Sequence, residues 1–260
     1  MKAAQKVRGR VELDDTRALL LQLGLEHAAN VLEDELTVAA KEDVAHHRFL
    51  DRLLGVETRL REESRVRTSL RLSGLPVGQT LDDFDWSFQP SIDRKRIETL
   101  ATCAWVRDRS TVLLQGPPGV GKTHLAVGLG VRAVANGFSV AYFRLDDLMA
   151  AMKRDAELPS KRLRQKKYMR PALLIIDEMG FTPLDRDEAG LLFRLVSYRY
   201  EKGATIITTN KSIKDWPEIL AGDEAMTAAL LDRLLHRSHV FNVQGRSYRL
   251  RDLEKLLKKG

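Results

Sequence analysis

Apolar and polar residues follow two different rhythms along this chain, and the change falls near residue 73. Before it, Phe49, Leu53, Val56 and Leu60 recur at spacings of four, three and four among charged residues. That is the period of a single buried stripe on a long helix. The leucines between Leu19 and Leu25 give an earlier helix a buried side, and Asp14-Asp15-Thr16 reads as its start. Residues 1–72 are therefore expected to form a small all-α domain. Residues 73–80, SGLPVGQT, carry two glycines and a proline and read as a linker.

From residue 81 onward, near-continuous apolar runs alternate with helical stretches. Residues 112–114, 138–143, 173–177 and 204–208 read as strands. A helix is expected over about 92–105, and Gly137 is expected to stop the helix before the second strand. Strands that are apolar throughout and separated by helices belong to a parallel sheet covered by helices on both faces. The expected fold class for 81–260 is thus α/β.

The first strand runs into GPPGVGKT, residues Gly116, Pro117, Pro118, Gly119, Val120, Gly121, Lys122 and Thr123, and a helical run starts at His124. This is a phosphate-binding loop in the strand–loop–helix setting that such a loop requires. Its glycines let backbone N–H groups turn inward toward phosphate oxygens, and the helix adds its positive end. Lys122 can reach the β- and γ-phosphates, and the Thr123 hydroxyl can ligate Mg²⁺.

Three later segments narrow the chemistry. The strand 173–176 ends in Asp177-Glu178 at the edge where open α/β sheets bind ligands. Asp177 is placed to hold Mg²⁺, directly or through water, and Glu178 to activate an attacking water. A kinase acting on a small molecule needs no such glutamate, and the guanine signature N/T-K-x-D is absent. The run ATIITTN ends in Asn210, either a group that fixes the attacking water or a helix cap. LLDRLLHR carries Arg233 and Arg237, either surface arginines or groups that enter a neighbouring subunit's site. Arg233 is the first choice for that role.

Charge adds a partner class. The net charge is +7, yet residues 1–80 are balanced, so the excess lies beyond them. Residues 153–170 hold eight basic and two acidic side chains. One such run is ordinarily a solvated face. A second basic run at 246–260 flanks the same core, and the pair points to nucleic acid. Lys161, Arg162, Arg164, Lys166 and Lys167 are the expected DNA contacts, chiefly to phosphates and so weakly sequence-specific. One cysteine, Cys103, permits no internal disulfide and fits a reducing compartment. Neither a signal peptide nor a membrane span is expected, which makes the expected location cytoplasmic.

GPPGVGKTHLA, LLIIDE, IITTN, LLDRLLHRS and GRSYRLR together resemble the AAA+ ATPases of the DnaC/IstB group, over about residues 81 to 250. Within that group the chain is most similar to IstB-type helper ATPases of insertion-sequence transposons. The N-terminal helices and LDDFDWSFQPSIDR extend the likeness to nearly the whole length. The resemblance implies ATP and Mg²⁺ as cofactors. ATP is held by residues 116–124, His124 included, with Thr123 and Asp177 on the metal and Glu178 on water. Asn210 becomes the sensor and Arg233 the arginine acting in trans. Arg249 would contact the γ-phosphate in cis, and the segment around Phe84 and Asp85 would lie near the adenine. Only about 20 residues follow His239, too few for the usual helical lid, so the AAA+ domain is expected with its lid reduced or absent. The implied function is an ATP-dependent helper of transposition. It would form a homo-oligomer on duplex DNA, remodel the target and recruit or stimulate a transposase. The alternative is a DnaC-type replicative helicase loader.

Overall fold

The computed structural model describes residues 13–251. It divides into two units, Met1–Thr68 and Ser69–Gly260.

In the first unit, helix α1 occupies 13–22, followed by α2 (Glu26–Glu42) and α3 (His46–Ser73). Asp14-Asp15-Thr16 lie in the first described turn of α1. Ala28, Leu32 and Leu53 form the core, with Leu20, Leu25 and Phe49 packed around them. No side chain of its own caps α2. Glu57 of α3 does so instead, accepting the Ala28 N–H at 2.9 Å. Burial alone would raise the Glu57 carboxyl. The Ala28 N–H and Arg61 outweigh it and hold that carboxyl below the usual range.

The second unit takes in the last residues of α3 and then the segment read as a linker. Leu75 is buried there, against Gly130 of helix α6 (Lys122–Ala135). A Cβ at Gly130 would stand 2.9 Å from Leu75 Cδ2, and one at Gly128 would stand 2.7 Å from Leu81 Cδ2. The two glycines make room for this segment on the helix. The helix expected over 92–105 is two pieces, α4 (Arg94–Ala101) and α5 (Ala104–Arg107). Cys103 breaks it at φ +62°, and the Trp105 indole N–H bonds back to Leu100 O at 2.8 Å.

Five strands follow: β1 (Thr111–Gln115), β2 (Val140–Arg144), β3 (Leu173–Met179), β4 (Ala204–Thr209) and β5 (Ser238–Asn242). They form one parallel sheet in the order β2-β3-β4-β1-β5. The last strand was not expected. It is an edge strand, half exposed, and SHVFN lacks the unbroken apolar run of the others. Helix α6 packs against β1 to β4. Beyond α7 (Leu145–Asp155) and the short α8 (Ser160–Leu163), helix α9 (Arg186–Arg199) packs against both α7 and α11 (Glu224–Leu235), with the short α10 (Trp216–Ile219) before α11 and α7 on β2 and β3. Alternate residues of β3 serve the two faces. Ile175 meets α6, while Leu174 and Ile176 join the core under α7 and α9. Among the described residues, no helix is long and apolar enough to cross a membrane.

Candidate functional site

The site grows from the sheet edge where β1 and β3 end. After β1 the chain turns through Gly116 (φ +151°), Gly119 (+80°) and Gly121 (+96°) into α6. A Cβ at Gly116 would fall 2.0 Å from Val243 O, and one at Gly119 would fall 2.0 Å from Ser247 Oγ. Conformation and crowding thus both require glycine there. Gly121 begins α6 without a side-chain cap, which leaves first-turn N–H groups for an anion. Lys122 is folded back on this loop and buried. Its ammonium donates to Gly116 O at 2.8 Å and Pro117 O at 2.7 Å. Burial pulls its pKa down to about 8, against the opposing pull of Asp177.

Asp177 is the hub. Its carboxylate is 2% exposed and is satisfied by hydroxyls from three elements. Thr123 Oγ1 donates at 3.0 Å, Tyr142 Oη at 2.6 Å, and Thr208 Oγ1 donates to Oδ1. Burial and the bond to Asp177 both raise the Tyr142 hydroxyl pKa. The β3–β4 register shifts between Ile176 and Met179, and Glu178 takes φ +62° at that irregularity. Its N–H donates to Thr208 Oγ1 at 3.0 Å. Its side chain meets Arg144, the last residue of β2, at 2.7 Å.

Part of this set faces one cavity, while Gly116, Pro117, Asp177, Tyr142 and Arg144 are not in its lining. Pro118 to His124, Glu178, Thr208, Thr209, Tyr248 and Arg249 all line it. Phe84 and Asp85 of the entry segment line it as well. Phe84 is buried edge-on against His124 and Trp86, with ring centroids 5.2 and 4.8 Å away.

Other sequence candidates fall elsewhere. Asn210 does not line the cavity, where Thr208 and Thr209 stand instead. Its amide oxygen is buried without a hydrogen bond, close beside Gly180. Arg233 and Arg237 lie at the opposite edge of the sheet, in a cavity shared with Arg109, Thr111, Arg199 and Thr205. Arg233 donates to Ala229 O at 2.6 Å and lies over the Phe193 ring, whereas Arg237 is exposed. Lys161, Arg162, Arg164 and Lys167 are exposed on the basic segment. Lys166 is not a free cation, because it pairs with Asp155 at 2.7 Å. Tyr168 Oη donates to the same carboxylate and pins the end of the segment.

Sequence reasoning missed Tyr142, Arg144, Thr208 and Tyr248. Tyr142 and Arg144 carry a weak signal, as polar-tipped residues closing an apolar strand. Thr208 carries one too, as a hydroxyl at the end of IITT.

The chain is similar to known proteins over most of its length. The family described as IstB-like ATP binding protein matches residues 18–255. A Pseudomonas aeruginosa protein named "Insertion sequence IS21 putative ATP-binding protein" is 42% identical over 246 residues, covering 94% of this chain and 91% of its own. A similarly named IS5376 protein of Geobacillus stearothermophilus is 39% identical, covering 82% of this chain and 85% of its own. The solved structure of DnaI aligns with a TM-score of 0.52 at 18% identity, covering 68% of this chain and 94% of that one. The fold of the second unit is that of an AAA+ phosphate-loop ATPase.

Proposed function

The chain belongs to the IstB-like ATP binding protein family, and from that premise we propose an ATP-hydrolysing, DNA-bound helper of transposition. The observation that carries the chemistry is the meeting of Lys122, Thr123, Asp177 and Glu178 at one sheet edge. The insertion-sequence relatives supply the biological class.

In this reading the glycine loop and the N-terminus of α6 bind the triphosphate, and Lys122 swings from its carbonyl partners onto the β- and γ-phosphates. The hydroxyl of Thr123 and the carboxylate of Asp177 are hard oxygen donors 3.0 Å apart, a set that suits Mg²⁺ held jointly with phosphates. The ion would neutralise charge that develops on the phosphate oxygens. Glu178 takes a proton from the attacking water, and Asn210 fixes that water after a small turn of its unpaired amide. Arg249 faces the γ-phosphate in cis. Arg233, remote from its own phosphate loop, serves the site of the next subunit, so hydrolysis depends on a homo-oligomer. The exposed Lys161, Arg162, Arg164 and Lys167 face duplex DNA, with Lys166 contributing less because Asp155 holds it. Such an assembly would present remodelled DNA to a transposase.

The test is binding to matched duplex and single-stranded DNA, with and without ATP, reading complex size. Large ATP-dependent assemblies on duplex are expected. They should be lost in Lys122→Ala and persist in Glu178→Gln. Preference for single strands in small complexes would instead favour the helicase-loader reading.

A further inference from the structure

Tyr248 and Arg249 line the nucleotide cavity although they lie beyond the last strand. The segment that carries them is fastened at several points. Ser91 Oγ donates to Gln244 O at 2.6 Å and accepts the Gln244 N–H at 3.1 Å. Gln89 Nε2 donates to Arg246 O at 3.1 Å. The Tyr248 N–H donates to Gly119 O at 2.9 Å, so the residue starts directly beside the phosphate loop.

The ring is held as firmly as the backbone. Phe88 meets it edge to face at 5.1 Å. The Arg251 guanidinium lies over it at 4.3 Å, and Asp85 anchors that guanidinium at 2.9 Å. A nucleotide whose phosphates fill the loop must send its base into the rest of the cavity. Three aromatic side chains line that cavity along with His124. Phe84 is buried against Gly121 and presents little surface. Phe181 follows Glu178 closely, at the end expected to hold water. Tyr248 keeps 41% of its surface exposed and borders the loop itself. An immobilised, half-open aromatic ring is a stacking surface for a base.

Resting on the ATP reading above, we propose that Tyr248 is the platform on which the adenine base stacks, and that the Asp85–Arg251 pair sets the position of its ring. The guanidinium covers one face of the ring and leaves the other to the base.

Calorimetric titration of the full chain with ATP, and separately with inorganic tripolyphosphate, tests this. Tyr248→Ala should weaken ATP binding by roughly 10-fold, the scale of one stacking contact. It should leave tripolyphosphate binding unchanged. Tyr248→Phe should keep ATP affinity, and Arg251→Ala should fall between the two. Equal losses for ATP and tripolyphosphate would show that Tyr248 acts through Gly119 and the loop, and would overturn the proposal. Unchanged ATP affinity in Tyr248→Ala would overturn it as well. A wild-type chain that binds tripolyphosphate but not ATP would sink the nucleotide reading itself, and stacking with it.

Discussion

Arg144 Nη2 lies 2.7 Å from Glu178 Oε2, so the carboxylate proposed to activate water is engaged by the last residue of the neighbouring strand. The pair is partly solvated, with side chains 55% and 27% exposed. An ion pair in that setting is worth about 0–1 kcal/mol. It restrains Glu178 without locking it. Arg144→Ala should therefore raise ATP hydrolysis in the absence of DNA by up to about fivefold. Phosphate release under saturating ATP measures this; a lower rate would mean that Arg144 assists the reaction instead.

The hydroxyls on Asp177 lead to a second expectation. Tyr142 donates to the carboxylate from β2 and is not among the residues that line the nucleotide cavity. Groups that orient a metal-binding carboxylate typically change metal affinity by about 10- to 100-fold when removed. Tyr142→Phe should shift the Mg²⁺ concentration for half-maximal hydrolysis upward by about 10-fold, with little change in ATP affinity measured without metal. If the Mg²⁺ titration does not move, Asp177 needs no help from that hydroxyl.

Lys122 sets a pH dependence. Its pKa in the free folded protein, about 8, lies below the ordinary value of 10.5. Between these values the unfolded chain binds more protons, so the stability of the free protein should rise with pH across that window. The proposed phosphate binding runs the other way, because it would use the charged ammonium. ATP affinity should be flat below about pH 8, then fall by up to about tenfold per pH unit. Titrations from about pH 7 to about pH 9.5 would show this, with Lys122→Arg as the flat control. Constant wild-type affinity across the range would mean the ammonium stays charged.

Two glycines should respond oppositely to alanine. Gly116 has φ +151° and backbone 2.0 Å from its would-be Cβ, so Gly116→Ala should cost about 1–3 kcal/mol and displace the chain at Val243. Gly190, within α9, has nothing within 4 Å of its Cβ position. Gly190→Ala should stabilise by about 0.4–1 kcal/mol. Thermal melts of the two variants decide it; matching shifts of either sign would contradict the local geometry.

What the sequence determined by itself is what short-range chemistry controls. The spacing of glycines in 116–121, the lysine and threonine after them, and the acids at the end of an apolar strand depend on local backbone preference and hydrophobic period. These made four of the five strands and the phosphate loop legible. Only the tertiary structure decided which distant groups meet. Thr123, Tyr142 and Thr208 stand 54, 35 and 31 residues from Asp177, and reach it because the sheet order places β3 between β2 and β4 with α6 across them. Strand order and register are long-range properties that a local period does not carry. The same holds for β5, an edge strand that need bury only part of its surface, and for Tyr248, whose place beside Gly119 is fixed by hydrogen bonds to residues 89 and 91. Local propensity wrote the glycine loop and the acidic strand end; packing across the sheet chose their partners.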